Sequence, residues 1–526
     1  MTDRSRGGSA GRRRARLAGA ALVALLAGGC GGGDGAADAP SAPAPAPAPA
    51  PPPPQRGQAT GAPTLVGTYS TSDLLSFLTD FDLGRELVRS VVTTPTCTVE
   101  SWKLGYHTVG GRNEPTTAST ALLVPKGTDA RCQGPRPVVV YAHGTRTDRA
   151  TDLARLTDRD NAEGLAVAAV FAAQGYLVVA PNYAGYDGSA LGYHPYLVAE
   201  QQANDVVDAL TAARGAFAAT GASAAAKLFV TGYSQGGYVA MATHRALQAA
   251  GTPPTASAPL SGPYALAAFG DALFLGQVGN GAVTNFTLLA NGYQRSYGDL
   301  YSTPGEVYAA RYAPGIEAAL PTTSGVGSLV AQGLLPRDAL FPATPPAPQY
   351  ASITPATQPA ALVPVFARGF GADALVTNAY RLAYLTDVQA HPDGGFPTLT
   401  DGLPPAAPAN ALRRALKRND LRAWTAGPST PMLLCGGRED PTVLWFNTEL
   451  MQRLWARTAP GARVTVLDVD APPVTDDPYR ELRTGFALAK AALQLRSGRD
   501  AVLESYHAGL VSPFCLAAAR TFFDAN

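Results

Sequence analysis

A serine hydroxyl becomes a nucleophile only when the backbone presents it to a base and to a place where negative charge can develop. The segment Lys227–Ala240, KLFVTGYSQGGYVA, has the pattern that does this. It reads as a short strand over Leu228–Thr231, a glycine-bounded turn centred on Ser234, and the start of a helix with Val239, Met241, Ala242 and Leu247 at apolar spacing. Such a nucleophile elbow is tight and strained, and it leaves no room for neighbouring side chains; Gly232, Gly236 and Gly237 supply that room. The pentapeptide is insufficient by itself, because Gly7-Gly8-Ser9-Ala10-Gly11 matches G-x-S-x-G as well, inside an arginine-rich leader. The strand before Ser234 and the helix after it separate the two.

The elements that must hold this serine alternate between strand and helix. Strands are expected near 99–106, 117–124, 137–142, 176–180, 228–231, 431–436 and 463–468, and helices over 162–174, 198–217, 237–249 and 443–457. The alternation predicts an α/β fold whose mostly parallel central sheet carries helices on both faces, with its chemistry at the carboxyl ends of the strands.

Five segments then resemble the α/β-hydrolase superfamily, and more narrowly the secretory-lipase-like serine esterases related to fungal lipase A. They are Tyr141-Ala142-His143-Gly144-Thr145, the run Pro181–Gly188, the elbow at Ser234, Gly436–Val443, and His507. They span about three-quarters of the chain, in the superfamily order of Ser, acid, His. The resemblance implies a carboxylic ester hydrolase that works through a Ser-His-Asp triad and an acyl-enzyme, with no cofactor. For the acid, Asp440 follows a buried-looking strand and precedes a helix; Glu439, Asp468 and Asp470 are its neighbours. For the base, His507 lies after the last strand and before a C-terminal helix over 513–523, whereas His107, His194 and His391 precede the acid, His143 sits in the oxyanion loop and His244 in the helix after the elbow. The backbone N–H groups of Gln235 and Thr145 are the expected oxyanion donors, and Tyr183, Tyr186 and Asp187 are expected at the rim of the site. The stretch 264–427 is expected to form an inserted cap or lid. Its aromatics Phe269, Phe274, Phe286, Tyr293, Tyr297, Tyr301, Tyr308 and Tyr312 either line an acyl pocket or form the core of the cap. Three alternatives use the same residues or fold: an acyltransferase, a serine peptidase, and a non-catalytic surface-binding lipoprotein. The short segment before residue 136 leaves no space for the propeller of a prolyl-oligopeptidase-type enzyme.

The N-terminus reads as an export signal, with a basic region over 4–16 and an apolar stretch over 17–27 too short to cross a bilayer. It ends in Leu26-Ala27-Gly28-Gly29-Cys30, which resembles a bacterial lipobox with Ala27 where a larger aliphatic residue is usual. Cys30 is the expected lipid attachment point of an envelope lipoprotein, anchored in the outer membrane; free secretion is the alternative. The Ala-Pro alternation over 40–54 reads as a semi-rigid tether. The expected organisation is a signal over 1–30, a Gly/Pro/Ala-rich linker over 31–60, a first part of the hydrolase core over 61–263, the insertion over 264–427, and a second part of the core over 428–526. Export lets disulfides persist. Of the three pairings open to Cys97, Cys132, Cys435 and Cys515, position favours Cys97 with Cys132, in one strand region, and Cys435 with Cys515, bracketing the loops of Asp440 and His507. No Cys or His spacing suggests zinc or another metal. A balance of 41 basic and 40 acidic residues argues against nucleic acid as a partner; the resemblance implies a small-molecule or lipid ester as the substrate.

Overall fold

A computed structural model of the chain describes residues 55–79, 94–158 and 161–526. The leader, Cys30 and the Ala-Pro tether lie outside the described residues. Among the described residues nine strands form one sheet in the order β1-β2-β3-β5-β4-β6-β7-β10-β11. They are β1 Thr64–Tyr69, β2 Thr98–Val109, β3 Pro115–Lys126, β4 Pro135–Ala142, β5 Leu177–Pro181, β6 Ser223–Tyr233, β7 Ala256–Leu260, β10 Met432–Gly436 and β11 Val464–Asp468. A separate two-residue ladder pairs β8, Phe341–Pro342, with β9, Phe370–Gly371. The first strands pair antiparallel as far as the β3–β5 contact, and every pair from β5 across to β11 is parallel.

All seven expected strands are present, and two more complete the sheet. The first, β1, has side chains that are mostly exposed at the sheet edge. The second, β7, Ala-Ser-Ala-Pro-Leu, is buried at every position in the middle of the sheet. Its small residues and its proline hide it from strand propensity. The Ser257 and Ser261 N–H groups donate to the Pro431 and Cys435 carbonyls across the β7–β10 seam, and Pro259, midway between them, has no N–H to give.

Alternation along the central strands sorts the core into two layers. In β4, Val138, Val140 and Ala142 face one apolar core, shared with Leu210 and Val206 of the helix Ala199–Ala216 and Tyr238 and Met241 of the helix Gln235–Ala249. Val139 and Tyr141 face the other, shared with Leu165 of the helix Ala162–Val170, Phe486 of Arg480–Ser505 and Phe514 of Ser512–Asp524. Among the described residues no helix is long and apolar enough to cross a membrane.

Between β7 and β10 the chain leaves the sheet for the helices Leu266–Phe274, Ala282–Tyr297, Asn378–Ala390 and Ala411–Arg418. Arg413 ties three of these pieces together: it reaches Asp271 and Asp387, each at 2.7 Å, and Asp271 also accepts the Tyr384 hydroxyl at 2.9 Å. A buried guanidinium is tolerated only with this degree of pairing, and removing one partner would strand a charge.

One expectation about the C-terminal part needs correction. His507 is not on a loop: it lies in a π-helical turn, Tyr506–Val511, that joins the long helix Arg480–Ser505 to Ser512–Asp524. The charged composition of 480–505 gave no apolar period from which to expect that helix. Both favoured disulfides are formed, Cys97–Cys132 and Cys435–Cys515, each with Cα atoms 5.6 Å apart. The second ties β10 to the C-terminal helix. Replacing Cys435 and Cys515 together by Ser should lower stability by about 2–4 kcal/mol and reduce ester hydrolysis near the new Tm. The Cys97→Ser, Cys132→Ser pair should lower Tm without that early loss of activity, as thermal melts run beside activity assays would show.

Candidate active site

The carboxyl ends of β4, β6, β7 and β10 converge on Ser234. This residue follows the last residue of β6 with φ 61° and ψ −121°, a region costly for a residue with a Cβ, and is the N-cap of the helix Gln235–Ala249. Its N–H donates to Leu260 O at 2.9 Å, the last residue of β7. The glycines around it are demanded by space: a Cβ on Gly236 would stand 1.8 Å from Ala142 O, one on Gly237 2.2 Å from Leu260 O. The turn is thus wedged between the ends of β4 and β7.

His507 and Asp440 meet at 2.6 Å through Nδ1 and Oδ2. The Asp440 side chain has no exposed surface, and every acceptor position is filled. Oδ2 also accepts from Ser261 Oγ at 2.9 Å, and Oδ1 accepts the backbone N–H groups of Thr442 and Val443 at 2.9 and 3.0 Å. Those two bonds form a turn that delays the following helix to Phe446. The carboxylate can only accept, so Nδ1 carries the proton, and Nε2 keeps the lone pair. That Nε2 is buried and has no hydrogen-bond partner, Ser234 Oγ included. Chain neighbours hold the pair beside the turn from both sides: the Tyr233 hydroxyl donates to His507 O at 2.6 Å, and Ser261 follows the residue that binds the Ser234 N–H.

The loop after β4 is held from behind by Glu163, which sequence reasoning missed. It accepts from the Gly144 N–H at 2.8 Å, the Tyr141 hydroxyl at 2.7 Å and Arg146 at 2.8 Å. Burial alone would raise its pKa, but Arg146, His143 and these donors outweigh burial and hold it below the usual glutamate range. Its only sequence signal is a carboxylate in the first turn of a helix that Asn161 caps. Thr145 is present next to this loop, with its side-chain hydroxyl 2.7 Å from the Tyr196 hydroxyl. Gln235 lies in the first helical turn, where the N–H has no intrahelical partner.

Tyr183, Tyr186 and Asp187 do not form a rim. Tyr183 is fully buried, stacked on His143 with ring centroids 4.1 Å apart, and its hydroxyl donates to His143 O at 3.0 Å. Tyr186, equally buried, donates to Arg146 O at 2.5 Å. Asp187 turns away to pair with Lys103. His194, set aside by its position in the chain, is part of the site's support: its Nδ1 donates to Ala184 O at 2.8 Å, and its Nε2 accepts from the Gln235 side chain at 2.8 Å.

Beside Ser234 opens an apolar cleft, lined by Leu266, Phe269, Phe274, Phe286, Leu412 and Leu416 among others. Of the eight aromatics noted in the insertion, only Phe269, Phe274 and Phe286 reach this cleft. Tyr293, Tyr301, Tyr308 and Tyr312 belong to the large core, and Tyr297 packs against it half-buried.

Burial lowers the pKa of His143 to about 4 and that of His194 to about 3. Both imidazoles are neutral in the folded chain and charge in the unfolded one below about pH 6.5. The unfolded state therefore binds more protons at these two sites in that window, and their contribution to stability falls as pH drops from about 6.5 toward 4, opposite in sign to that of Asp205, whose buried carboxyl is raised to about 7. Over that range Tm should fall less in His194→Gln than in the parent chain; an equal fall would contradict it.

A family model for secretory lipases matches residues 154–271. No curated protein matches. Among solved structures, the rice cell wall degrading esterase LipA from Xanthomonas oryzae is similar at TM-score 0.63 and 23% identity, over 89% of this chain and 98% of that one. A putative hydrolase from Legionella pneumophila is similar at TM-score 0.60 and 18% identity, over 89% and 98%. Candida antarctica lipase A is more remote, at TM-score 0.47 and 14% identity over 80% and 77%. The first two likenesses are of fold.

Proposed function

We propose that this chain is a carboxylic ester hydrolase of the secretory-lipase-like α/β-hydrolase kind, a reading that the family match and the likeness of fold support, and that it works through an acyl-enzyme on Ser234, with His507 as base and Asp440 as its orienting partner. One observation carries this reading: the His507–Asp440 bond at 2.6 Å leaves Nε2 as the ring's only basic lone pair, buried and unpartnered. The Ser234 hydroxyl reaches it by side-chain rotation as substrate enters, since catalytic hydrogen bonds often tighten only in the reacting complex.

Ser234 Oγ attacks the ester carbonyl and its proton passes to Nε2. Asp440 stabilises the imidazolium. The tetrahedral oxyanion is met by the backbone N–H groups of Gln235 and Thr145. The choice of Thr145 is supported by Glu163, which already accepts the Gly144 N–H and so withdraws that amide. Nε2 returns the proton to the leaving alcohol. Water, giving its proton to the same nitrogen, then releases the acid and restores the serine.

The lining of the cleft supports an apolar acyl group beside Ser234, held by Leu266, Phe274, Phe286 and Leu416. The helices of 264–427 supply this lining and act in our reading as the cap. Ser234→Ala should lower kcat about a million-fold and abolish labelling by a fluorophosphonate probe. Near-normal turnover by the purified variant would sink the assignment.

The two disulfides and the secretory-lipase match fit a secreted or extracellular protein. We place its attachment at Cys30, through a lipid on the mature N-terminus and the Ala-Pro tether, in a bacterial outer membrane. Cys30→Ser should remove metabolic labelling by palmitate and release active enzyme to the medium; labelling that persists would refute lipidation there.

A further inference from the structure

Two side chains outside the triad touch its charged members, and they pull in opposite directions. We propose that Tyr233 and Ser261 are positioning residues that set the basicity of His507, Tyr233 raising it and Ser261 lowering it. The inference rests on His507 being the base.

Tyr233, the residue before the nucleophile, is buried, and its ring lies 4.8 Å from the imidazole. Its O–H proton is committed to His507 O at 2.6 Å. The same oxygen stands 3.2 Å from Nδ1, so it is the lone-pair side that faces the Nδ1–H. That proton is shared between Asp440 Oδ2 and the Tyr233 oxygen, and both acceptors stabilise the imidazolium. Anchoring the main chain of the π-helical turn and accepting from the ring are thus done by one hydroxyl.

Ser261 acts on the acid member of the pair, with its side chain beside the Tyr233 hydroxyl. Its backbone sits at φ 44°, a strained value for serine, with its N–H on Cys435 O at 2.7 Å. That conformation aims Oγ at Asp440 Oδ2, 2.9 Å away, the same oxygen that receives the His507 proton. A hydroxyl donating to this oxygen takes up part of its charge and weakens its hold on the imidazolium.

The other charged or titratable groups around the imidazole are common to any variant at these two sites. Asp440 faces it from the loop after β10. Tyr506 precedes it, donating to Asp470 at 2.6 Å and accepting the Glu439 N–H at 3.3 Å, with Lys490 bound to Asp470 and Glu439. Glu504, one turn earlier, pairs with Arg368 at 2.9 Å. Asp440, Ser261, Tyr264 and Glu163 lie near the Tyr233 hydroxyl, so the two hydroxyls under test adjoin each other. Among the charged groups named, Asp440 alone is bonded to either of the two atoms removed, through Ser261 Oγ.

The test follows the His507 titration in two ways. The acid limb of kcat/KM against pH, measured on a soluble chromogenic ester, reports the free enzyme. Nitrogen-15 NMR of the imidazole in a Ser234→Ala background reads the same midpoint without turnover. Tyr233→Phe should move the midpoint down by about half a pH unit, the worth of one modest hydrogen bond. Ser261→Ala should move it up by a similar amount, and Ser261→Gly, which suits a positive φ, should do the same with no backbone strain. Midpoints that stay put, or move in the same direction, would overturn the proposal. A Ser234→Ala enzyme that still turned over would instead overturn the triad, and the NMR midpoints would remain a separate reading.

Discussion

A carboxylate taken wholly out of water has four acceptor positions to fill, and the site of this protein is built around filling those of Asp440. Two come from backbone N–H groups one turn ahead, one from Ser261, and the fourth from the Nδ1–H of His507. Leaving any of them open would cost the desolvation of a charged group. The histidine is therefore held by the needs of the acid as much as by its own packing. The consequence is chemical: with Nδ1 committed, the basicity of the ring is directed to Nε2 alone.

The turn at Ser234 is fixed by a different force, steric exclusion between main chains. Ala142 O, Gly236 and Gly232 approach so closely that no Cβ fits, and Leu260 O takes the Ser234 N–H from the other side. Neighbouring parallel strands in register bring β4, β6 and β7 to one level. Behind them His143, Tyr183, Tyr186 and His194 form a stack of buried rings, neutral because burial depresses both imidazoles. That layer gives the turn a rigid floor without placing charge near it.

The stretch between β7 and β10 uses the opposite chemistry, burying ions behind an apolar cleft. Arg413 with Asp271 and Asp387, and Arg422 with Asp393, are enclosed pairs whose partners come from separate segments of that stretch, and Asp420 completes the second from the same turn as Arg422. Such pairs add little net stability but demand one arrangement of the helices that carry them. Phe274 is stacked on Tyr384 at 3.6 Å, and Tyr384 bonds the same Asp271, so the ion cluster backs the wall of the cleft.

Local pattern was enough wherever a short stretch of chain carries its own reason. The glycines flanking Ser234, the β-branched runs of β4 and β6, and the order of Ser234, Asp440 and His507 could be read from residue types, because steric demand and hydrophobic periodicity act over a few positions. The fold class and both cysteine pairings were legible for the same reason. The rest depended on distance through space. β7 was hidden by a proline whose missing N–H matters only once β10 lies beside it; His507 belongs to a helical turn rather than a loop; Tyr183 and Tyr186 lie beneath the site rather than at its edge. Glu163, Ser261, Tyr233 and His194 have no mark in the linear order, since a hydrogen-bond partner is chosen by where the backbone has already been placed by packing. Residue types and spacing determined which groups could react; only the tertiary structure decided which neighbours would hold them, because burial drives most polar atoms to find a partner and the chain order does not say which.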